Sequence, residues 1–207
     1  MPKVVDHDKF REELLENCFK IFSQKGYSKV SIREIAKETG LSTGSIYHYF
    51  KNKEDILEQM FSYIRKKNFG KYQELIRDVD SIEDRLKIIT EFWKEHIDDY
   101  QDLMLLSIDY LRNNNSIKEN KMFHDFSVFY ITALSDSLEL RTGEAEILFT
   151  YLMGVVMNSL LIPDVVKPEN HISLIYETLK TRTETDGDKR PESIDTLVNR
   201  LFTSKRR

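Results

Sequence analysis

The chain has 207 residues, of which 40% are hydrophobic and 32% charged, and its net charge is −4. This length is enough to bury a sizeable core, and the low content of glycine and proline (7 and 4 residues) favours helices over sheets. The single cysteine, Cys18, excludes an intramolecular disulfide framework and a cysteine-rich metal site. The N-terminus lacks the apolar region of a signal peptide, and Ile147–Ile162 is shorter than the roughly 20 residues of a membrane span. We therefore expect a cytoplasmic protein with no membrane segment.

Charge is distributed unevenly along the sequence. The segment Lys20–Lys51 carries six basic and two acidic residues, whereas residues 52–207 carry 22 basic and 28 acidic ones. A mildly basic N-terminal part on an acidic body is typical of a protein that contacts phosphates with one end only.

The N-terminal third has the apolar spacing of short helices separated by capping residues. Gly26 ends the first helix, and Ser31 and Glu34 have the spacing of a capping box that opens the second. Ser42 and Asn52 are the N-caps expected for the next two helices. The predicted helices span residues 9–24, 32–39, 43–50 and 53 to beyond 69.

The remaining sequence keeps the helical period and contains no internal repeat. The turns fall at Asn113-Asn114-Asn115 and near Gly143, and a second capping box begins at Ser116. Residues 181–190 are polar enough to predict a mobile segment. The helices expected here span residues 81–100, 103–111, 117–138, 144–162, 172–179 and 194–202.

Residues 31–50, SIREIAKETGLSTGSIYHYF, have the form of a helix-turn-helix. Two short helices meet at a turn containing Gly40, and the second would lie in the major groove of DNA. It begins with the small residues Thr43, Gly44 and Ser45, which allow close approach of its N-terminus to the duplex. Polar groups that can bond to DNA follow at Tyr47, His48 and Tyr49.

This region resembles the TetR/AcrR family of bacterial regulators over residues 9–60. The motifs that carry the resemblance are Lys25-Gly26-Tyr27, Ser31-Ile32-Arg33-Glu34-Ile35-Ala36, Gly40-Leu41-Ser42, Ile46-Tyr47-His48-Tyr49-Phe50 and Lys51-Asn52-Lys53-Glu54, together with Phe22. The resemblance implies an all-α fold: an N-terminal three-helix helix-turn-helix DNA-binding domain (residues 1–52) and a larger C-terminal helical effector-binding and dimerisation domain (residues 53–207).

The resemblance also implies which residues contact DNA. Ile46 and Phe50 should point into the small core, and His48 is either a base contact or an exposed side chain. The residues at DNA-contacting positions are Arg33, Thr43, Gly44, Ser45, Tyr47, His48, Tyr49 and Lys53, with added phosphate hydrogen bonds from Tyr27, Ser31 and Ser42.

Aromatic and methionine residues are abundant in the C-terminal body, where they form either plain core or a ligand pocket. If they line a pocket, they indicate a small apolar or aromatic effector held by a few polar anchors. The residues predicted to line it are Trp93, His96, Tyr100, Met104, Tyr110, Phe126, Tyr130 and Asn158.

Two apolar helices, at about residues 144–162 and 193–204, fit a homodimer interface, because a helix that is apolar over much of its surface needs cover on several sides. The alternative is burial within one chain. Gly154 lowers helix stability by about 1 kcal/mol relative to alanine, which close approach of another helix would justify.

Together these features predict a ligand-responsive regulator, with repression as the default. It would bind an inverted-repeat operator in double-stranded DNA as a homodimer and be released by its effector. The alternative is a helix-turn-helix protein that acts as an interaction or architectural module without an effector. We expect no enzyme, cofactor or metal site, because the sequence offers no zinc spacing, phosphate loop or nucleophile elbow.

Overall fold

The computed structural model describes residues 6–113 and 121–185, with side chains described as far as residue 178. This part of the chain is all-helical, as predicted. Its helices are α1 (His7–Lys25), α2 (Ile32–Thr39), α3 (Thr43–Tyr49), α4 (Lys53–Ile76), α5 (Ile82–Glu95), α6 (Ile97–Asn113), α7 (Lys121–Leu138), α8 (Thr142–Leu161) and α9 (Pro168–Thr185).

Helix α1 forms because its apolar residues recur every three or four positions and both of its ends are capped. The carboxylate of Asp6 accepts hydrogen bonds from the backbone N–H groups of Asp8 and Lys9. At the other end, Gly26 has φ +84°, a value that favours glycine. The buried stripe includes Leu14, Cys18 and Phe22, which packs α1 against α4.

The predicted capping box at the start of α2 is only half formed. Ser31 Oγ accepts the N–H of Glu34 at 3.2 Å, as expected. The Glu34 carboxylate, however, pairs with Lys25 Nζ at 2.9 Å instead of returning to the backbone of Ser31. The correction follows from tertiary structure, because the end of α1 places a charged partner beside Glu34.

Helix α4 runs through both halves of the protein. Asn52 caps it by accepting the N–H of Asp55 at 2.8 Å, as predicted. Ile56 and Met60 are fully buried in the core shared with α1, and Ile64 and Tyr72 continue the same face into the body. A single helix therefore belongs to the cores of both predicted domains.

The predicted helix over residues 81–100 is wrong at its C-terminal end. Helix α5 ends at Glu95, His96 leaves helical geometry at φ −111° and ψ 14°, and α6 begins at Ile97 rather than near Leu103. The His96 ring stacks on Phe92 with centroids 4.1 Å apart, and its Nδ1 lies 2.9 Å from the Phe92 carbonyl oxygen. These contacts stabilise the break, which apolar periodicity does not reveal.

Helix α8 is the most apolar helix of the bundle. Among the described residues, it is the one helix long and apolar enough to cross a bilayer by length and composition. A core helix of a bundle meets the same criteria, and α8 contacts α6, α7 and α9. Leu152 and Val156 are buried there, but Ile147 and Leu161 are 41% and 69% exposed.

The segment after α8 is more ordered than the sequence suggests. A turn over residues 163–166 leads into α9, which extends the helix predicted at 172–179 in both directions. Residues 181–185 are helical, so α9 continues into the segment predicted to be mobile. The predicted helix over residues 194–202 and the capping box at Ser116 lie outside the described residues.

The buried residues of α1 to α9 form one continuous cluster that reaches from Leu14 to Ile172. Burial raises the pKa of the Cys18 thiol to about 12. Since the thiolate is the reactive form, Cys18 in the folded protein is protected from alkylation.

We expect Cys18 alkylation and the fluorescence of Trp93, the single tryptophan, to report the same unfolding transition. The residues lie in the two predicted domains but share one core, so their urea midpoints should coincide. Pulsed iodoacetamide labelling at about pH 8, read by mass spectrometry, measures the first and emission the second. Two separated midpoints would show that residues 1–52 unfold on their own.

Candidate nucleic-acid interface and ligand chamber

The turn between α2 and α3 is built around Gly40. Its φ of +69° and ψ of 20° are left-handed, and its N–H donates to the carbonyl of Lys37 at 3.3 Å. The N–H of Leu41 returns to the carbonyl of Ala36 at 2.9 Å. This αL ending closes α2 and sets the direction in which α3 leaves.

The N-terminus of α3 is capped and open to solvent. Ser42 Oγ accepts the N–H of Ser45 at 3.0 Å and lies 2.9 Å from Ser45 Oγ. Thr43 and Gly44 are exposed. A Cβ added at Gly44 would meet only Ser42 Oγ, at 3.6 Å, so internal packing does not require glycine there. The small residue leaves room for a duplex.

Helix α3 presents one face to solvent and buries the other. Ile46 and Phe50 are at most 1% exposed, in agreement with their predicted core positions. Tyr47 is 57% exposed, the neighbouring His48 is also exposed, and Ser31 and Arg33 of α2 are open to solvent. These residues are free to meet a partner.

Tyr49 is braced by α1. Its hydroxyl lies 3.0 Å from His7 Nδ1, and its ring is 5.3 Å from that of Phe10 between centroids. The residues lining the groove beside α3, of about 790 Å³, are His7, Phe10, Leu41, Ser42, Gly44, Ser45, His48 and Tyr49. His7 and Phe10 were missed by the sequence analysis, because their approach to α3 depends on the packing of α1.

The acidic residues of α2 are paired within the protein. Lys25 Nζ lies 2.9 Å from Glu34 and 2.8 Å from Glu38, and the hydrogen bond from Lys25 lowers the pKa of Glu38. Arg33 and Lys37 are exposed on the same helix. The pairing places a cation beside both carboxylates and leaves the surface near Arg33 favourable to phosphate.

The prediction that Tyr27 bonds to phosphate is wrong in this structure. Tyr27 is only 6% exposed, its ring meets that of Tyr110 edge-on at 5.4 Å, and burial raises its pKa to about 12. Lys53 Nζ lies 4.2 Å from the Tyr27 ring centroid and donates to the carbonyls of Tyr27 and Val30 at 2.9 and 3.0 Å. A phosphate contact by Lys53 stays a prediction.

The C-terminal end of α6 contacts the start of α4 and the part of the protein that holds the helix-turn-helix (residues 6–52, the DNA-reading half in the family that it resembles). Asp109 Oδ2 accepts the backbone N–H of Ser28 at 2.8 Å, and the hydroxyl of Tyr110 donates to Glu54. Tyr110 thus lies at this junction, and a ligand contact by Tyr110 stays a prediction. The sequence shows no signal for the contact, which joins residues about 80 positions apart.

An apolar chamber of about 50 Å³ lies among α4, α5, α6 and α7. Three of the predicted ligand residues line it: Trp93, Tyr100 and Tyr130. The others that line it are Asn68, Phe69, Tyr72, Ile89, Phe92, Ala133 and Leu134.

The remaining predicted ligand residues do not line this chamber. His96 is turned onto Phe92, and Met104 is half-buried and packs against the core. Phe126 lies one turn from Tyr130 with ring centroids 4.7 Å apart. Asn158 is exposed and donates to the carbonyl of Gly154 at 2.8 Å, so it lies outside this chamber.

Asn68 is the polar group that the sequence analysis missed. It is 4% exposed, and its Nδ2 finds no hydrogen-bond partner among the described residues. The sequence already indicated that Asn68 faces the core, because it follows Met60 and Ile64 at the same four-residue spacing. An asparagine at a core position of a helix indicates a polar requirement there.

Comparison with known proteins agrees with this geometry. A sequence profile of "Bacterial regulatory proteins, tetR family" matches residues 14–60, the part that contains the helix-turn-helix. Residues 14–60 are therefore a TetR-family DNA-binding region. Proteins of this family are DNA-binding regulators rather than enzymes.

Two TetR-family relatives and one structure illustrate the match. The HTH-type transcriptional regulator PksA of Bacillus subtilis is 33% identical over 92 residues, covering 44% of this chain and 45% of PksA. The HTH-type transcriptional repressor KstR2 of Mycolicibacterium smegmatis is 35% identical over 66 residues, or 32% of each chain. The transcriptional regulator FadR of Bacillus subtilis in complex with stearoyl-CoA has a TM-score of 0.62 at 18% identity, covering 80% of this chain and 95% of FadR.

The matched region spans less than half the length of these curated relatives. The likeness to FadR concerns the fold of the TetR-family body, because identity there is low. The sequence comparison therefore identifies the DNA-reading part most directly.

We expect Ser42→Ala to lower the free energy of unfolding by about 1 kcal/mol, because it removes the acceptor that caps α3. Ser28→Ala is the matched control, since it retains the backbone N–H that donates a hydrogen bond to Asp109. Urea titrations followed by circular dichroism compare the two variants. Equal stability of Ser42→Ala and the wild type would show that the cap does not hold α3.

Proposed function

We propose that this protein is a transcriptional repressor that binds an inverted-repeat operator as a homodimer and is released by a small, largely apolar effector. The observation that carries the proposal is the exposed face of α3, where Tyr47 is 57% exposed beside a capped and open helix N-terminus. A rigid helix presented in this way fits the major groove. Such a regulator acts in the cytoplasm, where its operator lies.

Two kinds of contact would contribute to DNA binding: contacts to phosphates and contacts to base edges. Arg33, Ser31 and Ser42 flank α3 and supply charge and hydroxyl groups for phosphates, which provide much of the affinity. Thr43, Ser45, Tyr47, His48 and Tyr49 lie on α3, where side chains can reach base edges. These contacts to base edges would give the protein its preference for the operator sequence.

Dimerisation would use the exposed face of α8. Ile147 and Leu161 are exposed apolar residues on this helix, and Gly154 lies between them. A Cβ added at Gly154 meets nothing within 4 Å in the chain, so intramolecular packing does not require the glycine. A second copy packed on α8 would cover the apolar side chains and require a small residue at this point.

The effector would bind in the aromatic chamber. FadR, a protein of the same fold, binds stearoyl-CoA, and the KstR2 relative is named a repressor. A ligand in the chamber contacts α4 and α6, and these helices also carry Lys53, Asp109 and Tyr110 at the junction with the DNA-reading half. The ligand lowers the affinity for the operator only as far as it binds the conformation that does not fit DNA more tightly than the one that does.

The operator can be found by incubating the protein with sheared genomic DNA of its own organism at near-physiological salt and sequencing the retained fragments. A short inverted repeat shared by a few intergenic fragments supports the proposal. Equal retention of all sequences favours an architectural protein. Refolding the protein first removes any effector that co-purifies.

We expect Arg33→Ala/Tyr47→Ala to weaken binding to that operator by at least about 100-fold, since one good base contact alone contributes about 1–3 kcal/mol. The slope of log K against log[salt] should become shallower by about 1.8, because the dimer loses one phosphate contact in each protomer. Fluorescence anisotropy with a labelled duplex measures both quantities.

Lys66→Ala is the control for charge, because Lys66 is exposed on α4 away from the helix-turn-helix. It should leave the operator affinity unchanged. Wild-type affinity in a folded Arg33→Ala/Tyr47→Ala protein would contradict the assignment of this face to DNA.

We expect Gly154→Leu to convert the dimer to a monomer, because its side chain would stand between the two copies of α8. Gly70→Leu on α4 is the matched control, since a Cβ at this helical glycine also meets nothing within 4 Å. Both substitutions raise helix propensity by up to about 1 kcal/mol, so loss of helix cannot explain a difference. Sedimentation velocity distinguishes the outcomes, and a dimeric Gly154→Leu protein would place the interface elsewhere.

A further inference from the structure

Arg65 lies beside the aromatic chamber with hydrogen-bonding capacity left over. Its Nη1 donates to the carbonyl of Asp125 at 3.2 Å, and its Cζ lies 4.7 Å from the ring centroid of Phe129. The Nε–H is buried and finds no acceptor among the described residues. The guanidinium is thus held in place by a carbonyl and a ring while one donor stays unsatisfied.

A second unsatisfied donor lies one turn further along the same helix. Asn68 lines the chamber, and its Nδ2 is buried without a partner in the described part of the chain. Leaving a buried donor unpaired destabilises the protein, so two such groups on one face of α4 call for an acceptor. Arg65 and Asn68 are about 4.5 Å apart along the helix axis.

A separate polar groove lies at Arg65. The groove, of about 270 Å³, lies between α4 and α7 and is lined by Glu58, Phe61, Ser62, Arg65, Lys121, Met122, Asp125 and Phe126. Phe126 lines the groove and Tyr130 lines the chamber, and their rings lie at an angle of 54° with centroids 4.7 Å apart. Burial raises the pKa of Tyr130 to about 12, and the positive charge of Arg65 acts in the opposite direction.

The charges in the groove balance, and Arg65 has no carboxylate partner among the described residues. Glu58 and Asp125 supply two carboxylates, and Arg65 and Lys121 supply two cations. The Asp125 carboxylate lies 3.3 Å from His124 Nδ1, and Glu58 is exposed. Among the described residues, no carboxylate forms an ion pair with Arg65, so its charge is available to a ligand.

We infer that the effector is an amphipathic organic anion, with an apolar part in the aromatic chamber and a carboxylate on Arg65 Nε and Asn68 Nδ2. The inference rests on the proposed function, because it names the ligand class of the same chamber. A carboxylate is an acceptor-only group that satisfies both donors, and Arg65 binds it as a charge-assisted partner.

The chamber is small in this structure. Its volume of about 50 Å³ is well below the roughly 150 Å³ of a cavity that admits benzene. An apolar chain therefore enters only when the aromatic side chains around the chamber move apart.

The aromatic walls alone would also suit a cation held over ring faces. The two unsatisfied donors and the charge of Arg65 oppose this alternative, because a cation has no lone pair for them and is repelled by the guanidinium. Probes with one chain and different head groups separate these possibilities.

The test uses the full chain without DNA and titrates it with octanoate, 1-octanol and octylamine. Binding is read from the emission of Trp93, which is the single tryptophan and lines the chamber. We expect saturable binding of octanoate at least about tenfold tighter than that of 1-octanol, since a charge-assisted hydrogen bond contributes more than a neutral one. Octylamine should bind weakest.

Arg65→Gln should abolish the preference for octanoate over 1-octanol, and Lys66→Gln, which removes a neighbouring exposed charge, should retain it. If Arg65→Gln does not fold, Asn68→Leu provides the second variant, because it removes the other donor while filling similar space. This variant should weaken octanoate binding more than 1-octanol binding.

Equal binding of octanoate and 1-octanol, preference for octylamine, or no binding of any probe overturns the inference. The DNA experiment is separate. Octanoate that binds through Arg65 but leaves the operator complex intact supports the ligand site and contradicts only the proposed release from DNA.

Discussion

Continuous burial of one face of α4 is the constraint on which the rest of the structure depends. Ile56 and Met60 are fully buried against α1, and Asn68 and Tyr72 reach the chamber of the body on the same helix. A packed core resists small displacements, so any movement of α4 in the body is felt at its N-terminus. The two halves of the protein share a structural element instead of a flexible linker.

The junction with α6 reinforces this coupling. Asp109 bonds to the backbone of Ser28 at 2.8 Å, and Lys53 holds the carbonyls of Tyr27 and Val30. Charged groups that bond to backbone atoms orient the loop before the helix-turn-helix more specifically than apolar packing would. Because burial lowers the pKa of Lys53, exchange of its ammonium between these carbonyls and a phosphate would alter its solvation as well as its partners.

The polar groups of α4 give the chamber a chemical preference that its aromatic walls lack. Aromatic walls accept many apolar ligands, whereas unsatisfied donors discriminate strongly between ligands that can and cannot accept a hydrogen bond. Arg65 and Asn68 lie on the helix that leads to Lys53. A head group bound to them would therefore act on the element that connects the ligand site to the DNA-reading half.

Local sequence determined the helix-turn-helix, the caps at Ser42 and Asn52, the left-handed turn at Gly40 and the exposure of Tyr47, because each depends on residues within one or two turns of helix. Tertiary structure decided the rest. It turned Glu34 to Lys25, buried Tyr27 beneath Lys53 and Tyr110, broke the helix at His96 and placed Asn158 outside the chamber. These outcomes depend on contacts between residues far apart in the chain, and periodicity within a single helix carries no information about which partner its face will meet.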